Sequence, residues 1–244
     1  MSDNQRVAVV TGGSRGIGRA VAERLGADGQ AVVVGYAGNQ AEAEAAVAVI
    51  EKESGRAVAV RADIAEPADV ETLFDIAEQR YGGVDVVVNA AGIMILSPLA
   101  ELDLDDLDRM HRTNIRGAFV VSREAARRVR AGGAIINFST SVTRLHLPAY
   151  AAYAASKGAV EAISPILAKE LRGRDITVNA VAPGPTATAL FLDGKSDELI
   201  QQIAGQNPMQ RLGRPEDIAE VVSSLAGPAR WINGQTIFVN GGAA

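Results

Sequence analysis

Apolar residues along this chain fall into two alternating rhythms. Short runs rich in valine, isoleucine and alanine recur at 6–11, 31–35, 57–61, 84–89, 134–138, 176–180 and 235–239. Continuous apolar runs of that length suit strands buried on both faces, as in a parallel sheet. Between them lie longer alanine-rich stretches with one apolar face, which predict helices over 16–28, 40–54, 67–81, 104–130, 150–172 and 215–226. Pro67 and Pro215 suit a first helical turn, and the acidic residues after them complement the helix dipole. Gly29, Gly55 and Gly82 follow three of these helices and are the expected C-caps. The alternation predicts an α/β fold: a single domain over 1–244 built on one doubly wound, seven-stranded parallel sheet with helices on both faces. Only 183–214 breaks the rhythm; its prolines, glycines and apolar Leu190-Phe191-Leu192 predict an exposed, mobile substrate lid.

Composition narrows the function classes. With 244 residues and 48% hydrophobic residues the chain can build one large core, and without cysteine it has neither disulfides nor a thiolate metal site. The polar start Met1-Ser2-Asp3-Asn4-Gln5-Arg6 leads straight into a strand and resembles no signal peptide. No apolar run reaches the ~20 residues that span a bilayer, so a cytoplasmic protein without a membrane partner is expected. A net charge of −5 argues against a nucleic-acid partner. His111 and His146 are too far apart to suggest a metal site; His111 reads as a structural helix residue and His146 as a loop residue.

The candidate chemistry sits at two places. Thr11-Gly12-Gly13-Ser14-Arg15-Gly16-Ile17-Gly18 directly follows the first strand and opens the first helix. Gly12, Gly16 and Gly18 permit a tight turn and close backbone approach to a pyrophosphate, which then rests on the helix N-terminus. After the second strand an NAD site usually carries a carboxylate, ~20 residues beyond the loop, for the ribose 2′-hydroxyl. This chain reads Gly35-Tyr36-Ala37-Gly38-Asn39 there, with no acid before Glu42. That absence, with Arg15 in the loop and Tyr36 and Asn39 as polar helpers, favours NADP(H) over NAD(H). Asp63-Ile64 follows the third strand, where a carboxylate suits an adenine amine or caps a helix, although Glu66 or Ala65 is better placed as the cap. Asn89-Ala90-Ala91-Gly92 follows the fourth, and its small residues either leave room for a ribose or pack closely.

The second place is Tyr153-Ala154-Ala155-Ser156-Lys157. An i,i+4 spacing puts the phenol and the ammonium on one helix face, where the cation favours phenolate and lowers a pKa that starts near ~10. Alone, such a pair is usually a solvated helix face. Together with the glycine loop it points to proton transfer beside a dinucleotide.

In this order the chain resembles the short-chain dehydrogenase/reductase superfamily, of the single-domain type, over essentially all its length. The resemblance rests on Thr11 to Gly18, Asn89-Ala90-Ala91-Gly92, Asn114, Tyr153-x3-Lys157, Pro183-Gly184 and the closing Asn233-Gly234-Gln235 and Gly241-Gly242. Within it the chain is most similar to 3-oxoacyl-[acyl-carrier-protein] reductases and polyhydroxynaphthalene or sugar reductases. The resemblance implies NADP(H)-dependent reduction of a ketone or 3-oxoacyl thioester to a secondary alcohol. Tyr153 would pass a proton to the carbonyl oxygen as hydride arrives, and Lys157 would lower its pKa and hold the nicotinamide ribose. Asn114 would kink its helix and hold a water leading to Lys157, and Thr186 and Thr188 would bind the nicotinamide carboxamide after Pro183-Gly184. A serine at the end of the fifth strand would bind the substrate oxygen. The family's usual spacing lands on Thr140, flanked by Ser139 and Ser141. A one-residue irregularity at the strand end would present Ser141, which is placed first, then Thr140, then Ser139. The alternatives are an NAD-linked alcohol dehydrogenase and a dinucleotide sensor without catalysis.

Ile93, Met94, Leu145, His146, Tyr150, Pro185 and the lid are expected to line a mostly apolar substrate pocket. Arg123, Arg127, Arg128, Arg130, Arg172 and Arg174 offer a docking face for an acyl-carrier protein or, the favoured reading, complement helix C-termini and surface acids. The resemblance also implies a homotetramer built partly from the helices that carry Asn114 and Tyr153.

Overall fold

Every residue of the first strand, β1 (Val7–Thr11), is buried, because it lies at the centre of the sheet rather than at its edge. The computed structural model, which describes residues 5–244, continues with α1 (Gly16–Ala27), β2 (Ala31–Tyr36), α2 (Gln40–Lys52), β3 (Arg56–Arg61), α3 (Pro67–Tyr81) and β4 (Val84–Asn89). The second half runs α4 (Leu104–Met110), α5 (Gly117–Arg128), β5 (Val129–Phe138), α6 (Val142–Leu145), α7 (Ala151–Glu170), β6 (Thr177–Pro183), α8 (Ala189–Leu192), α9 (Asp197–Gln206), α10 (Pro215–Ala226) and β7 (Thr236–Val239). The seven strands form one sheet in the order β3-β2-β1-β4-β5-β6-β7, with every pairing parallel. The order reverses between β1 and β4, so the chain leaves a crevice outside the carboxyl ends of those strands.

Side-chain alternation divides the core. Val7 and Val9 face α3, α5 and α7, with Leu73, Phe74 and Val121 among their companions. Ala8 and Val10 face α1, α2 and α10, with Leu25, Ile50 and Leu225. A strand alternates its side chains between its two faces, so a continuous apolar run needs helices on both. The doubly wound expectation is met.

Boundaries differ in instructive ways. The helix expected over 104–130 is α4 and α5 joined by a π-helical turn, His111–Arg116, and it stops at Arg128. Val129 and Arg130 instead begin β5, pairing Val84 with Val129 before the register jumps to Val86 with Ala134. Gly132, at φ +81, absorbs the extra residues, and Arg130 pins the bulge through Nε and Nη2 to the Asp85 carboxylate. Amphipathic periodicity runs past the true end because Arg128-Val129-Arg130 continues the helical pattern. The other long helix, α7, keeps Pro165 in its interior. Gly82 caps α3 at φ +88 and Gly29 follows Asp28, the cap of α1, at φ +84. Gly55 is not a left-handed cap: Ser54 takes that conformation at φ 66, and a Cβ at Gly55 would lie 2.7 Å from the Ile50 methyl.

The segment 183–214 carries α8 and α9 and is tied at its base by an isolated bridge between Thr186 and Gly213. Within its apolar triplet only Leu190 is exposed; Phe191 and Leu192 are half-buried. Among the described residues no helix is long and apolar enough to cross a membrane. The polar start Met1 to Asn4 lies outside the described residues.

Candidate active site

The turn between β1 and α1 is shaped for close approach. Gly12 and Gly16 adopt φ +65 and +54, a region that disfavours any side chain. A Cβ on Gly12 would stand 2.8 Å from Ala91 Cα, and one on Gly18 would overlap the Gly12 carbonyl oxygen. The loop and the turn after β4 therefore pack backbone to backbone. They open into a cavity of about 1140 Å³ that runs from Tyr36 and Asn39 to Tyr153 and Lys157. That size takes a dinucleotide and a second small molecule, above the ~300–1,000 Å³ of a usual ligand pocket.

At one end of this groove the glycine loop, Ser14, Arg15 and Ile17 face the turn 36–39. Asn39 is the N-cap of α2, its Oδ1 accepting from Glu42 N at 3.2 Å, so that oxygen is already engaged. Asp63 and Ile64 line the groove further along. Asp63 does not cap α3, whose N-cap is Glu66; its Oδ1 accepts from Ala65 N and its Oδ2 from Arg112 at 2.7 Å. Burial works to raise the Asp63 pKa, but the Ala65 and Arg112 bonds outweigh it and hold the carboxyl below its ordinary value. Ala90, Ala91 and Gly92 line the groove as expected. Asn89 does not. Its side chain turns into the sheet, accepting from Thr11 Oγ1 at 3.0 Å and donating to Asn137 Oδ1 at 3.4 Å, where it satisfies buried polar groups.

At the other end stands Tyr153, buried among Met110, Ala152, Ile93 and Met94. Burial pushes its pKa up to about 12, with the Thr140 hydroxyl acting in the opposite sense and Tyr150 adding a little. The lowering expected from Lys157 is therefore not what this site gives. Lys157 directs Nζ to the Phe138 carbonyl oxygen at 2.8 Å, and burial brings its pKa down to about 8. Near neutral pH the phenol keeps its proton.

The three hydroxyls after β5 separate cleanly. Ser139 Oγ donates to Glu161 Oε1 at 2.6 Å. Ser141, placed first from the sequence, lines the groove as well, but its Oγ is already engaged, donating to Ala182 O and accepting from Asn240 Nδ2, each at 3.1 Å. Thr140 is the hydroxyl beside the phenol. No irregularity intervenes, because Ser139 N and Ser141 N bond Val181 O and Pro183 O at 2.8 Å and continue the β5–β6 ladder beyond Phe138.

Asn114 does not face the groove. Its Oδ1 accepts from Ile93 N at 2.9 Å, and its Nδ2 donates to Ile93 O at 2.8 Å and Ser156 Oγ at 3.0 Å. The π-helical turn presents Asn114 to the backbone after β4 and so clamps Ile93 beside Tyr153; it makes no direct bond to Lys157. Pro183 closes β6, and Gly184 must lack a side chain because a Cβ would meet Asn240 at 2.7 Å. Thr186 and Thr188 line the groove, with Thr186 Oγ1 bonded to Gly184 O at 2.9 Å.

Ile93, Met94, Leu145, Tyr150 and Pro185 form the mouth, with Leu147 in the place expected of His146, which caps α6 in a left-handed conformation at φ 51. Arg61 and Arg112 also line the groove and carried no motif signal; only their neighbourhood in the fold reveals them. The arginine cluster is largely engaged: Arg128 binds Asp75, Glu78 and Glu124, Arg130 binds Asp85, and Arg174 caps Val129 O and Ala126 O.

The chain is similar to known proteins over nearly its whole length. A family model described as Enoyl-(Acyl carrier protein) reductase matches residues 12–244. A chloroplastic NADPH-dependent aldehyde reductase-like protein of Arabidopsis thaliana is 45% identical, over 97% of this chain and 93% of its own. Versicolorin reductase of Emericella nidulans is 40% identical over 99% of this chain and 98% of its own. The crystal structure of a short-chain dehydrogenase from Burkholderia cenocepacia in complex with NADP superposes with a TM-score of 0.91 at 38% identity, covering 98% of this chain and 97% of that one.

Proposed function

The chain belongs to the short-chain dehydrogenase/reductase family and is an oxidoreductase; from that premise we propose that it reduces an apolar ketone or aldehyde to an alcohol with NADPH. The observation that carries this reading is the Tyr153 phenol next to the Thr140 hydroxyl in the cavity that the glycine loop opens, with burial favouring its protonated form. A proton donor for reduction must hold its proton at the working pH, and Tyr153 does.

The loop glycines, packed tightly against the Ala91 backbone with their turn lining the groove, suit a pyrophosphate, and Ala90, Ala91 and Gly92 leave space for the nicotinamide ribose. When bound, the reduced nicotinamide supplies the hydride. Thr140 Oγ1 donates a hydrogen bond to the carbonyl oxygen and Tyr153 Oη gives up its proton to it. Lys157 holds the ribose hydroxyls, and Thr186 and Thr188 hold the carboxamide. Asn114 works from behind, keeping Ile93 in register with Tyr153. NADP(H) is favoured because no carboxylate follows β2 before Glu42 and Arg15 lines that end of the groove. NADPH in one relative's name and NADP in a neighbour's structure support the same choice.

Apolar side chains at the mouth favour a free ketone or aldehyde, and the engagement of Arg128, Arg130 and Arg174 counts against a carrier-bound thioester. Phe191 and Leu190, on α8, would close over the substrate. A homotetramer is the assembly we propose. The test follows NADPH oxidation with aldehydes, diketones, quinones, keto sugars and acetoacetyl thioesters side by side. Wild type turns over at least one apolar carbonyl, and Tyr153→Phe loses about 10²–10⁴-fold in kcat, the usual worth of a positioned proton donor. Tight NADPH binding without turnover of any carbonyl would leave only the sensor reading.

A further inference from the structure

We propose that Arg61 is the second guanidinium of the subsite for the 2′-phosphate, and that it rather than Arg15 alone sets the preference for NADP(H) over NAD(H). This inference rests on the NADP(H) reading above. β2 and β3 run parallel with Tyr36 opposite Arg61, so both side chains leave the sheet on the same face at its carboxyl end. There β2 gives way to the turn 37–39, the place where an NAD site would carry its carboxylate. Arg61 Nε donates to the Ala37 carbonyl oxygen at 3.3 Å, which draws the guanidinium towards that turn while Nη1 and Nη2 remain for a ligand. Both Arg15 and Arg61 are exposed and line the groove with Tyr36, Gly38 and Asn39.

The charge balance of this end favours an anion. Of the acids lining the groove, Asp63 is paired with Arg112 and Asp69 accepts from Asp63 N at 2.8 Å. Glu42 is the one carboxylate near the turn without such a partner among the described residues, against two guanidiniums. An arginine presents a planar fork that matches phosphate oxygens bidentately, and a guanidinium already steadied by one backbone bond loses less freedom when it binds. The competing role is plain: β3 is an edge strand, and a terminal arginine there can serve merely to keep other strands from pairing with it.

Calorimetry with adenosine 2′,5′-bisphosphate and with 5′-AMP separates the roles, since neither probe needs the reaction. Wild type binds the bisphosphate more tightly. Arg61→Ala weakens it by about 10- to 100-fold, the range of a charge-assisted hydrogen bond, while 5′-AMP changes by less than about twofold. Arg61→Lys, which keeps the charge, recovers part of the loss, and the kcat/KM ratio for NADPH over NADH follows the same order. Because Arg61 is exposed, an unchanged melting midpoint certifies that Arg61→Ala is folded. If wild type prefers the bisphosphate and Arg15→Ala loses the preference but Arg61→Ala keeps it, Arg61 is only an edge-strand charge and NADP(H) specificity stands without it. If wild type binds both probes equally, the NADP(H) reading itself falls, and this inference with it.

Discussion

Ser139, Thr140 and Ser141 carry the same functional group within one turn of chain, and what separates them is where each hydroxyl is already bonded. Ser139 serves Glu161, and Ser141 joins β6 to the residue after β7. Thr140→Val, which keeps shape and removes the hydroxyl, is expected to lower kcat by about 10²–10³-fold, the cost of losing one donor to developing negative charge. Ser141→Ala should stay within a few-fold, and steady-state kinetics on the pair decides between them. Lys157 yields a stability prediction of opposite sign to its catalytic one. Its folded pKa of about 8 lies below the ordinary 10.5, so the native state carries a buried ammonium at a cost at every pH below about 8. As pH rises from 8 towards 10.5 the unfolded chain holds that proton while the native state has lost it, and stability rises. At pH 7 Lys157→Met should therefore be inactive yet more stable than wild type, by about 2 kcal/mol once the lost bond to Phe138 O is allowed for, and the gap should narrow towards pH 10 in urea titrations. The residues of the tyrosine and glycine motifs were legible in the sequence because their spacing is their chemistry. Arg61, Arg112 and the orientation of Asn89 were not, since each depends on which strands are neighbours.

Elements were legible where one rhythm lasted long enough. Alternating apolar strands and amphipathic helices announce the doubly wound sheet because each layer must bury a face of the next. Junctions were harder. The π-helical turn at His111–Arg116 leaves the apolar periodicity intact, so only the family resemblance, which expects a kink at Asn114, marks it in the sequence. The early start of β5 hides because two arginines flank Val129 and prolong a helical pattern. Pro165 is a local conflict that the fold overrides. It lies inside α7, one turn beyond Glu161, and has no N–H to return to that carbonyl. A proline in a helix interior is worth roughly 3 kcal/mol less than alanine, and part of this is offset because proline also restricts the unfolded chain. Pro165→Ala should thus raise stability by about 2 kcal/mol in equilibrium urea unfolding. Its kcat should not move, because the residue lies two turns or more beyond Lys157 on the same helix. A destabilised variant would mean that the proline itself is needed where Gly234 packs, 3.6 Å from Pro165 by its would-be Cβ.

At the scale of the whole molecule, what the sheet leaves uncovered is as informative as what it buries. The two helical layers bury the inner strands on both faces, and the strand ends open into the long groove that holds Tyr153. Yet α4, α5 and α7 leave Leu104 at 68%, Phe119 at 56% and Ile166 at 57% exposure. Ala118 on α5 packs with Val160 and Ile163 on α7, so Phe119 and Ile166 project from helices already joined to each other. Large apolar residues gathered on one helical layer mark an interaction face more often than isolated ones do. If this layer is where subunits of the proposed homotetramer meet, Phe119→Glu puts a charge into a desolvated contact and should be costly there while harmless in a monomer. Sedimentation equilibrium is expected to give wild type a mass about four times the 25.4 kDa of the chain, and Phe119→Glu a mass of two chains or one. The same helices carry the clamp on Ile93 and the Tyr153–Lys157 pair, so dissociation should also loosen the site and reduce kcat. A wild type that sediments as a monomer at micromolar concentration would refute the assembly, and a tetramer indifferent to the substitution would move its interface to another face.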